Sequence, residues 1–234
     1  MNRTSLIDEI TQFGLTRQEA QIYLCLIQNA ELTGYEVAKS TGISRSNTYS
    51  ALAGLVEKGA AYLLEGVSSK YCAVSTDEFC DNKIRLLEKV KQRLREEITV
   101  FPEPVEGYIT VTGAKHIRNK IHHMIENAEQ RIYISATKNR VDEFTSELEK
   151  AFSKQIKVVI ITDEIPKFAK AQHYITERKA DQFHLICDSK YVLTGEIKDS
   201  ETDTCLFSGQ SNFVNVLKEA LRNEIKLIDL KKEE

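Results

Sequence analysis

Residues 44–50, Ser-Arg-Ser-Asn-Thr-Tyr-Ser, gather the side chains best suited to reading a nucleic acid. Arg45 can pair bidentately with guanine or clamp a phosphate, and Asn47 can pair with adenine. Ser44, Ser46 and Ser50 are short enough to let a helix come close, and their hydroxyls can bond phosphate or base edges. Tyr49 can contact DNA or pack against the hairpin that follows. Thr33 and Tyr35, ten residues upstream, would open a preceding helix towards the backbone, and Lys70 adds a cation downstream. Each of these could equally be an ordinary solvated position.

These residues need a scaffold. Gly42 supplies a turn, Ser44 caps the helix behind it and Gly59 stops that helix. Thr48, Leu52, Leu55 and Val56 fall on one apolar face. Two β-prone runs follow, 62–65 and 69–74, joined by a Gly-Val-Ser turn. Upstream, 4–14 reads as a helix with Leu6, Ile7, Ile10 and Phe13 on one side. Thr16 and Glu19 match a capping box. The helix behind it carries Ala20, Tyr23, Leu24 and Ile27, with Ala30 one turn on. Thr33 caps a third helix, 34–40, with Val37 and Ala38 inward. Helix, helix, turn, helix, hairpin is the order of a winged helix-turn-helix. A small helical domain with no nucleic-acid role shares all but the hairpin.

The stretch from Gly14 to Gly59 resembles the DNA-binding domain of TrmB-type transcriptional regulators. The matching residues are Gly14, Leu15, Thr16, Glu19, Ala20, Tyr23, Leu26, Gly42, Ile43, Arg45, Ser46, Tyr49, Leu52, Leu55, Lys58 and Gly59. The resemblance implies a dimer that binds double-stranded operator DNA. Family wings are often rich in Arg and Lys, whereas this one offers Lys70 alone.

Ser75 and Glu78 match a second capping box, opening a helix over 76–99. Leu87, Val90, Leu94 and Ile98 make its stripe, with Phe79 as an extra anchor. The stripe can dock on its own domain or pair with a second copy, and pairing is the favoured reading. Phe101-Pro-Glu-Pro-Val-Glu-Gly then breaks the pattern. The expected division is 1–75, a winged helix; 76–100, a linker or dimerisation helix; and 101–234, an effector or dimerisation domain.

The last part alternates strand and helix: strands at 108–112, 131–136, 156–162, 183–188, 190–195 and 204–208, helices at 114–128, 140–153 and 211–230. Such alternation predicts a largely parallel sheet. The closing helix should turn Phe213, Val216, Leu217, Ala220, Leu221, Ile225 and Ile228 inward. The runs VTGAKHIRNKIHHMIENAEQRIYISAT and CDSKYVLTGE resemble a phospholipase D-like domain. Enzymes of that superfamily carry H-x-K-x-x-x-x-D. With Asp188 as the motif aspartate, Asp181 falls on the histidine position and Phe183 on the lysine position. His184 is three positions late. The resemblance therefore implies a sheet without its catalytic pair, and an expected fold class of α+β with an α/β phospholipase D-like C-terminal domain. A phosphodiesterase or nuclease brought to DNA by the winged helix is the alternative.

Ser135, Asp188 and Lys190 are the ligand candidates, with Thr137, Lys138, Asp163, Ser208 and Asn212 as further polar residues that could line a shared cleft. His116, His122, His123 and His173 have no acidic partner at ligand spacing, and no zinc spacing, phosphate loop or nucleophile elbow appears. No catalytic residue, cofactor or metal is expected, while a small-molecule effector stays open.

The bulk numbers agree. A hydrophobic fraction of 41% and a charged fraction of 29% describe a globular chain. A net charge of −3 argues against a protein that coats DNA nonspecifically, yet allows cations presented locally. Apolar runs are too short for a transmembrane helix and the N-terminus lacks a signal peptide's apolar core, so a cytoplasmic, non-membrane protein is expected. The five cysteines form no CxxC pair. They read as buried free thiols, with Cys72 and Cys80 the candidates for a redox switch.

Overall fold

The computed structural model describes residues 3–66, 68–99 and 107–231. Val67 of the hairpin turn and the Pro-x-Pro boundary at 102–104 lie outside the described residues. The chain divides into two compact units, 1–101 and 102–234.

The first unit runs α1 (Arg3–Thr11), α2 (Arg17–Ile27), β1 (Leu32–Thr33), α3 (Gly34–Thr41), α4 (Arg45–Glu57), β2 (Ala61–Leu64), β3 (Lys70–Ala73) and α5 (Thr76–Glu97). Local chemistry sets its boundaries. Thr16 and Thr33 both close reciprocal capping boxes, with Glu19 and Glu36. Ser75 completes only half of one: its hydroxyl accepts from the Glu78 amide, while the Glu78 carboxylate takes the Tyr62 hydroxyl at 3.1 Å. The core joins Leu15, Ile22, Tyr23, Leu26, Val37, Leu52, Leu55 and Phe79. Ile27 and Ala30 are exposed, contrary to the expected stripe. Helix α2 stops at Ile27, and its buried face is centred on Ile22, Tyr23 and Leu26. Buried Tyr23 donates to the Val74 carbonyl at 2.9 Å, tying α2 to the end of the hairpin. The hairpin gains a third strand that the sequence does not announce, giving the order β1-β3-β2.

The second unit contains β4 (Tyr108–Thr112), α6 (Ala114–Glu126), β5 (Arg131–Ser135), α7 (Lys138–Asp142), α8 (Thr145–Ser153), β6 (Lys157–Thr162), β7 (Gln172–Ile175), β8 (Gln182–Cys187), β9 (Tyr191–Glu196), β10 (Thr204–Ser208) and α9 (Ser211–Leu230). Its seven strands lie in the order β4-β10-β9-β8-β5-β6-β7. The expected parallel sheet is corrected to a mixed one: β5-β6 and β6-β7 are parallel, and the other four pairings antiparallel. The short links at 188–190 and 197–203 return the chain at once, which forces antiparallel neighbours.

Helices α6 and α8 cover one face of this sheet around Ile117, Ile121, Phe144, Leu148, Ile160 and Phe183. Helix α9 covers the other, over Ile161, Ile186 and Val192. In α9 the buried residues are Val214, Leu221 and Ile228, spaced by seven, flanked by half-buried Phe213, Leu217 and Ile225. Val216 and Ala220 face outward, against expectation. At 100° per residue, Val216 sits on the far side of the helix from Val214.

Candidate nucleic-acid interface

The start of α4 is held from both sides. Gly42, in the left-handed region at φ 73°, turns the chain out of α3. The Gln21 side chain reaches from α2 to the Thr41 carbonyl at 3.2 Å, fixing the turn. Buried Thr48 points inward and donates to the Ser44 carbonyl at 3.0 Å. Ser44 accepts from the Asn47 amide at 3.4 Å as the helix cap.

What remains faces out. Ser44, Arg45, Ser46, Asn47, Tyr49 and Ser50 are all exposed, and the first turn of α4 carries no acidic residue. The Arg45 guanidinium lies over the Tyr35 ring, 4.7 Å from its centroid. That contact restrains a long side chain while leaving its donors outward. No ion pair engages Arg45 among the described residues. The surface therefore offers a restrained planar cation, an amide and three hydroxyls beside helix-start N–H groups, the donor set that suits base edges and phosphate.

The other candidates are partly committed. Thr33 spends its hydroxyl on the cap: it donates to Glu36 at 2.8 Å and accepts the Glu36 amide. Tyr49 packs over Gly34; a Cβ on Gly34 would come within 2.4 Å of its ring. Lys70 pairs with Glu31 at 3.1 Å, both about half exposed. An exposed pair of this kind is weak enough to exchange for a phosphate.

Glu19 is a positioning residue that motif matching names without explaining. It is 6% exposed and accepts from the Thr16 amide at 2.7 Å and from Lys58 Nζ at 2.5 Å. Burial raises its carboxyl pKa, but these donors outweigh burial and hold it below the ordinary value. A Cβ on Gly54 would lie 2.3 Å from its Oε1. Glycine in mid-helix thus lets α2 clamp the end of α4 through a carboxylate.

In the second unit the expected cleft does not assemble. Ser135, Thr137, Lys138 and Asp163 sit where parallel β5 and β6 end. Asp188, Lys190, Ser208 and Asn212 sit at the opposite end, because β8 runs against β5. The two groups are separated by the length of a five-residue strand, roughly 16 Å. Asp188 is a structural residue: it accepts backbone N–H bonds from Glu129, Gln130 and Arg131 at 2.9, 2.7 and 2.9 Å. Burial raises its pKa and these three donors more than reverse that. Lys190 is exposed in the turn, and Ser135 is buried with no hydrogen-bond partner for its hydroxyl among the described residues.

The lysine position implied by the phospholipase D resemblance is closed. Phe183 is fully buried against Phe144, with ring centroids 6.1 Å apart, where a lysine would have to meet phosphate. His184 points to the other face and shares a 2.6 Å hydrogen bond with Thr194. Burial and nearby Arg178 push its pKa below the ordinary histidine value. Among the described residues no His, Cys, Asp and Glu cluster could hold a metal. His122 is a satisfied histidine, paired with Glu147 at 3.1 Å. Cys187 and Cys205 are driven up to about 12 and about 11 by burial, and Cys80 is also raised. All three are poor thiolates at neutral pH.

The order helix, helix, turn, helix, hairpin, closed by a third strand, defines the first unit as a winged helix-turn-helix. Comparison with known proteins agrees. Residues 10–77 match the family of the sugar-specific transcriptional regulator TrmB, and residues 107–223, half of the chain, match the N-terminal subdomain of the TrmB EBD. The chain belongs to the TrmB family of transcriptional regulators. It is 28% identical over 162 residues to YrhO of Bacillus subtilis, an uncharacterised protein, covering 68% of this chain and 59% of that one. It is 25% identical over 189 residues to TrmBL1 of Pyrococcus furiosus, an HTH-type sugar-sensing transcriptional regulator, covering 78% and 55%. The chain thus spans rather more than half the length of these two relatives. Among solved structures, TrmBL2, an archaeal chromatin protein with a novel mode of DNA binding, is similar over 97% of this chain and 99% of its own, with 22% identity and a TM-score of 0.45. Nuc of Salmonella typhimurium, a phospholipase D family member, covers 50% of this chain and 93% of its own, at 16% and 0.39.

Proposed function

We propose that this chain is a homodimeric regulator that reads double-stranded operator DNA through the first turn of α4. The observation that carries the reading is the outward, acid-free start of α4 with Arg45 restrained on Tyr35. Arg45 and Asn47 read base edges. Ser44, Ser46, Ser50 and Tyr35 meet the backbone, and Lys70 supplies one phosphate contact by leaving Glu31. Thr33 and Tyr49 hold the surface in shape. A DNA-reading protein of this kind works in the cytoplasm, beside the nucleoid.

One copy has few cations, so affinity comes from two. Helix α5 offers the seam: Ile84, Leu87 and Leu94 are 47–53% exposed and repeat at 3 and 7 residues, with Ile98 exposed just past the helix end. That spacing fits a short coiled-coil face. Pairing there would present two α4 helices to half-sites about one turn of DNA apart. The second unit is non-catalytic, since Phe183 and Asp181 stand at the catalytic positions. Its role is to sense an effector or to strengthen the dimer, and any effector acts by favouring one dimer geometry.

The test is fluorescence anisotropy on a duplex from upstream of the gene. Affinity should fall steeply between about 50 and 200 mM salt. Folded dimer that binds nothing at low salt would overturn the reading. Introducing Leu87→Asp and Leu94→Asp together should give a folded monomer by sedimentation; a persistent dimer would remove α5 as the seam.

A further inference from the structure

The second unit contains a cavity of about 730 Å³ between α6 and one end of the sheet. Its floor is Ile109, Phe207 and Tyr191, on neighbouring strands. Tyr191 and Phe207 stack with centroids 5.8 Å apart and an interplanar angle of 18°. Gly209 makes room for that arrangement, since a Cβ there would meet the Tyr191 ring at 3.2 Å. Helix α6 forms the wall and sends Lys120 into the space, with His123 one turn further on.

Lys120 is the informative residue. Its ammonium lies 3.7 Å from the centroid of the Phe207 ring. It is half-buried, and no carboxylate pairs with it among the described residues. Asp188 borders the cavity, but its oxygens are taken by three backbone amides. Burial pulls the Lys120 pKa below the ordinary lysine value. A partly desolvated cation on an aromatic platform, with no ion pair among the described residues and the nearby Asp188 carboxylate turned to backbone amides, is unfinished electrostatics. An anionic group at the same spot would complete it, and an attached ring would fill the apolar remainder. The volume suits a small organic molecule.

We propose that this cavity is a binding site for a small aromatic carboxylate, its acid group on Lys120 and its ring against Tyr191 and Phe207. The site gives the effector of the proposed regulator a chemical class, and rests on that reading only for its consequence on DNA. Binding itself is measured without DNA.

The experiment titrates the full-length protein with phenylacetate, 2-phenylethanol and acetate, by calorimetry and by amide chemical-shift mapping. Phenylacetate should bind once per chain, at least about tenfold tighter than either partial probe, with shifts confined to α6, β9 and β10. Lys120→Met should erase the preference for phenylacetate over 2-phenylethanol, and Lys120→Arg should keep it. Tyr191→Ala, at a half-exposed position, should weaken both ring-bearing probes alike. Circular dichroism confirms that each variant is folded. Equal affinity for phenylacetate and acetate, shifts elsewhere in the chain, or an unchanged preference in Lys120→Met would overturn the site. A second arm measures operator affinity with phenylacetate saturating. Binding without any change in DNA affinity would leave the site standing and remove the effector role of the second unit.

Discussion

The two units handle polar side chains in opposite ways. In the first, caps and clamps lie behind the recognition surface: Thr16 and Glu19 lock α2 to α4, and buried Thr48 anchors the turn. The polar residues of α4 that remain are exposed and uncommitted, with Arg45 steadied by Tyr35. In the second unit the polar residues that look functional are consumed by the fold. Asp188 holds three amides, Ser208 donates to Gly107, and Asp163 accepts the Lys138 amide. A surface built for recognition keeps its donors free and stores its order one layer below. Polarity at strand ends mostly satisfies backbone.

Several substitutions would break or sharpen that contrast. The largest effect expected is for Phe183→Lys, which restores the catalytic residue type without its surroundings. A buried ammonium among Phe144 and Leu185 should destabilise the second unit by roughly 3–5 kcal/mol and yield no hydrolysis of a phosphodiester. Denaturant melts and a nitrophenyl diester assay check this. Phosphodiesterase activity in the folded variant, which still carries Asp181 at the histidine position, would contradict the non-catalytic reading of the second unit.

Next come Asp188→Asn and Glu19→Gln, each expected to cost about 1–3 kcal/mol by leaving hydrogen-bond donors poorly matched. Both carboxyls have lower pKa values in the folded chain than in the unfolded one. As pH falls, the unfolded chain takes up these protons first. The stabilisation is therefore present above the ordinary carboxyl values of 3.8 and 4.5 and is lost as pH falls through the lower folded-state values. Melting curves against pH should show each variant losing less stability on acidification than wild type. An identical acid slope would mean these carboxylates do not hold the fold. The smallest effect is for Lys70→Ala: no measurable stability change, and a salt slope of DNA binding reduced by about one. An unchanged slope would mean the pair with Glu31 never opens.

The first unit was legible because its signals are local. Thr16, Thr33 and Ser44 cap three helices within four residues of the groups they bond, and Gly42 and Gly59 mark turns by their own backbone needs. Strand order in the second unit is set by contacts far apart in sequence, and alternation cannot tell a parallel neighbour from an antiparallel one. Alternation alone therefore allows one shared cleft for ligand candidates that the sheet sends to opposite ends. Strand β7 went unread because it is an edge strand whose four residues lack alternating burial. The Arg45–Tyr35 contact spans the helix-turn-helix corner, and the Lys120 cavity needs β4, β9, β10 and α6 at once. No local pattern encodes either.

The central claim is that the start of α4 reads sequence, and Arg45 tests it most directly. Arg45 is exposed and bears no fold, so Arg45→Ala should leave the melting temperature unchanged. Its affinity should be measured on the upstream duplex and on a shuffled duplex of equal length, at one salt concentration. The expected result is a loss of about 1–3 kcal/mol on the upstream duplex, roughly five- to 150-fold, with little change on the shuffled one. Equal losses on both duplexes, or none on either, would contradict base reading by α4.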